Sequence, residues 1–98
     1  MSFPRVLAES GLTKIEIASL YGTSRQTVHA WAAGRVPHEK VEHSRSVAIY
    51  PLRRFTLITQ ALLTAIDRRV LPMEAMDRAA RKERIAKLAA RLQGLKPA

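Results

Sequence analysis

Residues 13–37, TKIEIASLYGTSRQTVHAWAAGRVP, constrain the fold of this 98-residue chain more than any other segment. Thr13 can cap a first short helix, and Glu16, three residues further on, can reach back to complete a capping box. Gly22 then supplies the positive φ that commonly ends a helix, and Ser24 can cap a second helix that follows at once. Two short helices separated by a three-residue turn that contains glycine predict a helix-turn-helix.

The second helix, expected over residues 25–33, has two chemically different faces. The apolar face consists of Val28 and Trp31 with Thr27 beside them, and it can pack on Ile17, Ala18 and Tyr21. The apolar side of the first helix consists of Ile15, Ile17, Ala18 and Leu20. The opposite face holds Arg25, Gln26, His29 and Ala33, which include hydrogen-bonding groups and no acidic residue. Arginine can pair with guanine and glutamine with adenine in the major groove of DNA. The spacing of Val28 and Trp31 favours core packing over base stacking for the tryptophan.

The motif positions have the spacing of a known family: Ala18 as the small residue, Gly22 in the turn, and Val28 and Trp31 as core residues. Over residues 3–38 the chain resembles the Cro/CI-type, lambda-repressor-like helix-turn-helix proteins of phages and bacteria. The trailing WAAGRVP looks like the usual exit from their recognition helix. The resemblance implies a sequence-specific transcriptional regulator, most simply a repressor, whose helix starting at Ser24 enters the major groove.

The resemblance and the side-chain chemistry together assign DNA contacts to individual residues. We predict base contacts by Ser24, Arg25, Gln26, His29 and Ala33. We predict backbone contacts by Lys14, Thr23, Thr27 and Arg35. Lys14 departs from the family, which often has a glutamine touching phosphate at this position, so its contact would be more purely electrostatic. The expected mechanism is occupancy of double-stranded DNA at an inverted-repeat operator, which blocks or modifies promoter use.

The rest of the chain is expected to be helical as well. Residues 1–38 form the predicted helix-turn-helix head, which starts with a helix beneath the motif that contains Phe3, Val6 and Leu7. Residues 39–50 read as a linker or a short helix. Residues 51–98 predict two further helices, at about 52–69 and 73–92, from apolar spacings of three and four. The predicted fold is all-α, a helix-turn-helix bundle of four to five helices with a C-terminal helical extension used for dimerisation.

The apolar stripe of the 51–98 segment is the predicted dimer surface, since regulators of this type commonly bind two-fold symmetric sites as homodimers. The candidate interface residues are Leu52, Phe55, Ile58, Leu62, Ile66, Leu88 and Leu92. The alternative is that these residues complete the core of a single chain. Arg53 and Arg54 could bind phosphates or form a solvated face. For Arg68 and Arg69 we favour the second interpretation, a solvated pair whose charge compensates the dipole at the helix end.

Composition agrees with a nucleic-acid partner. The formal net charge is +9, with +7 of it in residues 37–98, and such a balance favours a polyanion. The chain has no cysteine, which excludes disulfides and thiolate zinc sites and fits an intracellular setting. It shows no leader peptide and no apolar run of about 18 residues, so we expect a cytoplasmic protein of a bacterium or a phage-infected cell, without membrane contact.

No feature of the sequence predicts catalysis or cofactor binding. No nucleophile is paired with a positioned base, and no glycine-rich phosphate loop occurs, so we expect neither enzyme activity nor a cofactor. The only histidines, His29, His38 and His43, lack the spacing of a metal site.

Two other functions remain open at this stage. The first is a protein-interaction module, such as an antitoxin or a phage anti-host factor. The second is a non-specific nucleic-acid binder, which would not need Arg25 and Gln26 in particular.

Overall fold

The structure, a computed structural model, describes residues 3–37, 50–71 and 77–95. These residues form five helices and no strand, which confirms the all-α prediction. The helices are α1 (Phe3–Glu9), α2 (Lys14–Tyr21), α3 (Arg25–Ala32), α4 (Leu52–Asp67) and α5 (Arg78–Gln93). The predicted linker or short helix at 39–50 lies outside the described residues except for Tyr50.

The local signals of the helix-turn-helix act as the sequence predicts. The Glu16 backbone N–H donates to the Thr13 hydroxyl, and the Thr13 N–H donates to the Glu16 carboxylate at 2.9 Å, which completes the capping box. Gly22 ends α2 with a φ of 69°, in the left-handed region that favours glycine. Ser24 caps α3 by accepting a hydrogen bond from the Thr27 backbone N–H at 3.2 Å.

All five aromatic residues of the chain meet in one cluster at the centre of the core: Phe3, Tyr21, Trp31, Tyr50 and Phe55. The Trp31 ring lies edge-on to the Phe55 ring with centroids 5.0 Å apart, a favourable geometry for aromatic pairs. Trp31 is 2 % exposed, so it is a core residue. The cluster ties α3 to α1, α2 and α4 and thereby fixes the orientation of the second helix of the motif.

The buried Tyr21 hydroxyl lies 2.7 Å from the Thr59 hydroxyl on α4. Its burial raises the pKa of Tyr21 above the ordinary range, so the phenol stays neutral. The Tyr50 hydroxyl donates to the Tyr21 carbonyl at 2.6 Å, at the last residue of α2. The end of α2 is therefore held by polar contacts as well as by apolar packing.

Ile15 departs from the sequence prediction, which places it on the apolar side of α2. It is 63 % exposed, whereas Ile17 is fully buried. Two positions along an α-helix correspond to a rotation of about 200°, so these two isoleucines lie on opposite sides of α2.

Most of the predicted dimer residues lie in the core of the single chain: Phe55, Ile58, Leu62, Ile66 and Leu92 are all buried. Side chains enclosed within one chain cannot also form the contact surface of a second chain. For these five residues the structure supports the alternative, that they complete the monomer core. Leu52 and Leu88 are only partly buried, and their role in a dimer stays a prediction.

The start of the last helix also differs from the prediction of about residue 73. Asp77 has an extended backbone, and its carboxylate accepts a hydrogen bond from the Ala80 N–H at 2.7 Å, so the helix begins at Arg78. An aspartate cap overrides the apolar pattern that suggested an earlier start. Residues 73–76 lie outside the described residues.

The end of α4 comes at Asp67 rather than at Arg69, because Arg69 takes a left-handed conformation with a φ of 61°. The Val70 N–H donates to the Ala65 carbonyl at 2.8 Å, and the Arg69 N–H donates to the Ile66 carbonyl at 3.1 Å. This is the hydrogen-bond pattern of a Schellman motif, in which the left-handed position usually belongs to glycine.

Arg69→Gly is therefore expected to stabilise the protein. A left-handed backbone costs an L-residue about 1–2 kcal/mol, part of which glycine loses again through the entropy of the unfolded chain. We expect a gain of about 0.5–1 kcal/mol, a rise in Tm of several degrees. Arg68→Gly is the matched control: Arg68 has a φ of −86°, so glycine there is expected to destabilise. A fall in Tm for Arg69→Gly would contradict the assigned geometry.

Candidate nucleic-acid interface

The outward face of α3 presents the predicted reading residues to solvent: Arg25, Gln26, His29 and Ala33 are all exposed. Val28 and Trp31, on the other face, are buried against the core. The ion pairs among the described residues include neither Arg25 nor Arg35. This exposed face therefore carries cationic and amide groups on a helix whose orientation is fixed from behind.

Two of the predicted contact residues are engaged in capping. The Ser24 hydroxyl lies 3.2 Å from the Thr27 backbone nitrogen and 2.9 Å from the Thr27 hydroxyl. Ser24 is exposed, so it could share its hydroxyl with a ligand. Thr27 is only 5 % exposed and faces the core, which argues against the predicted backbone contact by its side chain. Because the Thr27 side chain lies on the face of α3 that packs on the core, it cannot also lie on the outward face, where DNA would bind.

Lys14 and His29 join the two helices of the motif on their exposed side. The Lys14 ammonium lies 3.0 Å from Nδ1 of His29. An ammonium group has three donors and no acceptor, so a hydrogen bond in this contact runs from Lys14 to the histidine ring. The contact holds the His29 ring beside Lys14 and leaves the remaining Lys14 N–H groups for an anion.

The other predicted backbone residues lie at the ends of the motif. Thr23 is half-buried in the turn, where its N–H donates to the Ala18 carbonyl at 2.9 Å. Arg35 is exposed just after α3, and its N–H donates to the Ala30 carbonyl at 3.0 Å. Gly34 precedes it with a φ of 97°, a conformation that redirects the chain at the end of α3.

The only carboxylate within residues 13–37, that of Glu16, forms an ion pair with Arg81 on α5. Arg81 donates to both of its oxygens, at 2.6 and 2.7 Å, and also to the Gly11 carbonyl at 2.9 Å. These hydrogen bonds lower the pKa of Glu16 to about 2. The negative charge of Glu16 is thus compensated by Arg81 in a bidentate ion pair, which reduces its repulsion of an anionic ligand.

Gln93 makes the corresponding contact at the other end of α2. Its side-chain amide donates to the Leu20 carbonyl at 3.0 Å and accepts a hydrogen bond from Arg54. A Cβ placed on Gly22 would lie 3.1 Å from the same amide, so the turn and Gln93 are in close contact. Arg81 contacts the start of α2 and Gln93 contacts its end, so α5 runs parallel to α2 and packs along it.

Sequence reasoning missed Arg81 and Gln93, although the pattern contains a signal for one of them. Arg81 falls on the same helical face as the buried Ile85 and Leu92, where a polar residue calls for a partner. Neither residue identifies its partner from sequence, because each contact spans more than 60 positions.

The described residues show no group of three or more histidine, aspartate or glutamate side chains that could hold a metal ion. His38 and His43 lie outside this part of the chain. Within the same described ranges, no helix combines the length and the apolar character needed to cross a membrane. We also compared the chain with protein-family models, curated proteins and solved structures, and none of them matched.

Proposed function

We propose that this protein is a sequence-specific double-stranded DNA-binding transcriptional regulator, which reads the major groove with α3. The observation that supports this most strongly is the division of α3 into two faces. Its inner face packs in the aromatic cluster, while Arg25, Gln26 and His29 lie on the exposed side of a capped helix, and the ion pairs among the described residues include neither Arg25 nor His29. The regulator would act by occupancy, as a repressor of the Cro/CI type in a bacterium or phage-infected cell.

In this proposal each exposed side chain of α3 has a chemical role. Arg25 would donate two hydrogen bonds to guanine, at O6 and N7. The Gln26 amide would donate to adenine N7 and accept from the adenine N6 amino group. His29 would hydrogen-bond a base edge through the ring nitrogen that does not contact Lys14.

The phosphate contacts would come from Lys14, Thr23, Arg35 and the backbone N–H groups at the start of α3. A homodimer on an inverted repeat belongs to this proposal through the family resemblance alone. Leu52 and Leu88 are the predicted interface residues that keep exposed surface for it.

Titration of the ¹⁵N-labelled protein with a mixed-sequence DNA duplex tests where the nucleic acid binds. We expect the amide shifts of Arg25, Gln26, His29 and the neighbouring Lys14 to change most. The exposed face of α4 around Gln60 serves as the internal control and should change little. Shifts concentrated on α5, with α3 unaffected, would refute the proposed reading face.

Lys14→Met is expected to weaken binding to all DNA sequences by a similar factor. The variant keeps the length of the side chain but removes one charge, so the slope of log K against log salt should fall by about 1. Lys82→Met is the matched control, since Lys82 is exposed on α5, away from α3. An unchanged salt slope in Lys14→Met would show that Lys14 does not contact phosphate.

A further inference from the structure

A groove of about 420 Å³ lies between the end of α4 and one side of α5. Its floor is apolar and consists of Val70, Leu71, Ala80 and Leu88. Leu71 is a core residue, whereas Val70 is 47 % exposed, one of two large apolar side chains that are exposed among the described residues. The other is Ile15, on α2. The groove thus presents apolar surface to solvent, and none of its lining residues belongs to α2 or α3.

The rim of the groove is strongly basic. Arg84, Lys87 and Arg91 line it together with a single acidic residue, Glu83. The Glu83 carboxylate lies 3.5 Å from the Lys87 ammonium, and the ion pairs among the described residues include neither Arg84 nor Arg91. These two arginines are seven positions apart on one face of α5, which places them about 10 Å from each other along the helix axis.

We propose that this groove binds an acidic amphipathic helix of a partner protein. One apolar side chain of that helix would pack on Val70 and Leu88, and carboxylates on either side of it would pair with Arg84 and Arg91. Glutamates seven residues apart on a helix have the same spacing as the two arginines. The inference does not rest on base reading by α3, because the residues of the groove belong to neither α2 nor α3. It assigns Leu88 to the partner helix instead of the predicted homodimer interface, for which Leu52 remains.

The chemistry of the groove favours this occupant over two others. A DNA backbone would satisfy the arginines, but it offers only sugar carbons between phosphates and no aliphatic side chain that could fill the apolar floor at Val70. A second copy of the chain, joined groove to groove, would bring two basic rims together, and like charges facing each other oppose association. A helix with apolar and acidic groups complements both the floor and the rim.

The test uses the full chain and a fluorescently labelled synthetic helical peptide with two glutamates seven residues apart and a leucine between them. At about 150 mM salt we expect saturable binding, seen by fluorescence anisotropy, and shifts in the methyl signals of Val70, Leu71 and Leu88. Arg84→Glu combined with Arg91→Glu should weaken binding at least about tenfold. Val70→Ser, at an exposed position, should weaken it without changing the charge of the groove.

Arg78→Glu combined with Lys82→Glu is the matched control, since it makes the same change of charge at exposed positions of the same helix. We expect it to change the affinity less than about twofold. Circular dichroism establishes that each variant is folded.

Four results would overturn the proposal. The first is equal binding of a scrambled peptide of the same composition, and the second is an equal loss of affinity in the control variant. Either would show that charge alone attracts the peptide. The third is the absence of saturable methyl shifts. The fourth is a loss of DNA binding alone in Arg84→Glu with Arg91→Glu, which would place the rim in the nucleic-acid interface.

Discussion

Replacing Arg25 and Gln26 together with alanine is expected to relax sequence preference in DNA binding at the positions that these two side chains contact, while leaving the protein folded. Both side chains are exposed on α3, so their loss removes no core packing. A bidentate contact to a base contributes about 1–3 kcal/mol of discrimination. The double variant should therefore lose about 2 kcal/mol or more on the preferred site, roughly 30-fold in affinity. It should keep weak, salt-dependent binding through Lys14 and the other phosphate contacts.

The control for this experiment replaces an arginine and a glutamine at other exposed positions. Arg78→Ala combined with Gln60→Ala also removes one exposed arginine and one exposed glutamine, from α5 and α4. We expect it to retain sequence preference, with at most a small uniform loss of affinity. Equal behaviour of the two double variants in a binding titration would show that α3 does not select the base sequence.

Arg81→Ala is expected to produce the largest loss of stability among substitutions at surface ion pairs. It removes both hydrogen bonds to Glu16 and the bond to the Gly11 carbonyl, at the point where α5 holds the start of α2. Hydrogen bonds to charged groups contribute about 1.5–3 kcal/mol. A free energy of unfolding measured with urea at neutral pH should fall by an amount in this range.

The contribution of this pair should disappear in acid. The pKa of Glu16 is about 2 in the folded protein and has its ordinary value of 4.5 when the chain unfolds. A lowered pKa adds stability that is fully present above pH 4.5 and is lost as the pH falls towards 2. The stability difference between the wild type and Arg81→Ala should therefore shrink steadily over that interval.

Lys87→Ala is the control for the ion-pair experiment. Its partner is Glu83, and both side chains are about three-quarters exposed. Pairs of this kind contribute little, so we expect a change below about 0.5 kcal/mol and no distinct dependence on pH in this range. A difference between wild type and Arg81→Ala that stayed constant down to pH 2 would contradict the assigned role of Glu16.

Local signals explain why so much of the helix-turn-helix can be predicted from sequence. Thr13, Glu16, Gly22 and Ser24 each act within a few residues of their own position, and the structure shows each of them in its predicted role. The burial of Val28 and Trp31 follows from their spacing on one face. The exposure of Arg25, Gln26 and His29 is the complement of that pattern.

The features that sequence could not supply depend on long-range contacts. An apolar stripe such as that of Phe55, Ile58 and Leu62 looks the same whether it fills a monomer core or a dimer interface. The grip of Arg81 and Gln93 on α2 arises only when α5 packs beside it. The contact between Lys14 and His29 likewise requires the angle between two helices.

Selection of bound DNA from a random double-stranded pool tests the central claim most directly. Wild-type protein, the Arg25→Ala/Gln26→Ala variant and the Arg78→Ala/Gln60→Ala control would be run in parallel. The account predicts a consensus for the wild type and the control, with guanine and adenine positions lost or altered in the Arg25→Ala/Gln26→Ala variant. An inverted repeat in that consensus would further indicate a two-fold dimer. Recovery of no consensus by the wild type, or of one unchanged by the α3 variant, would contradict it.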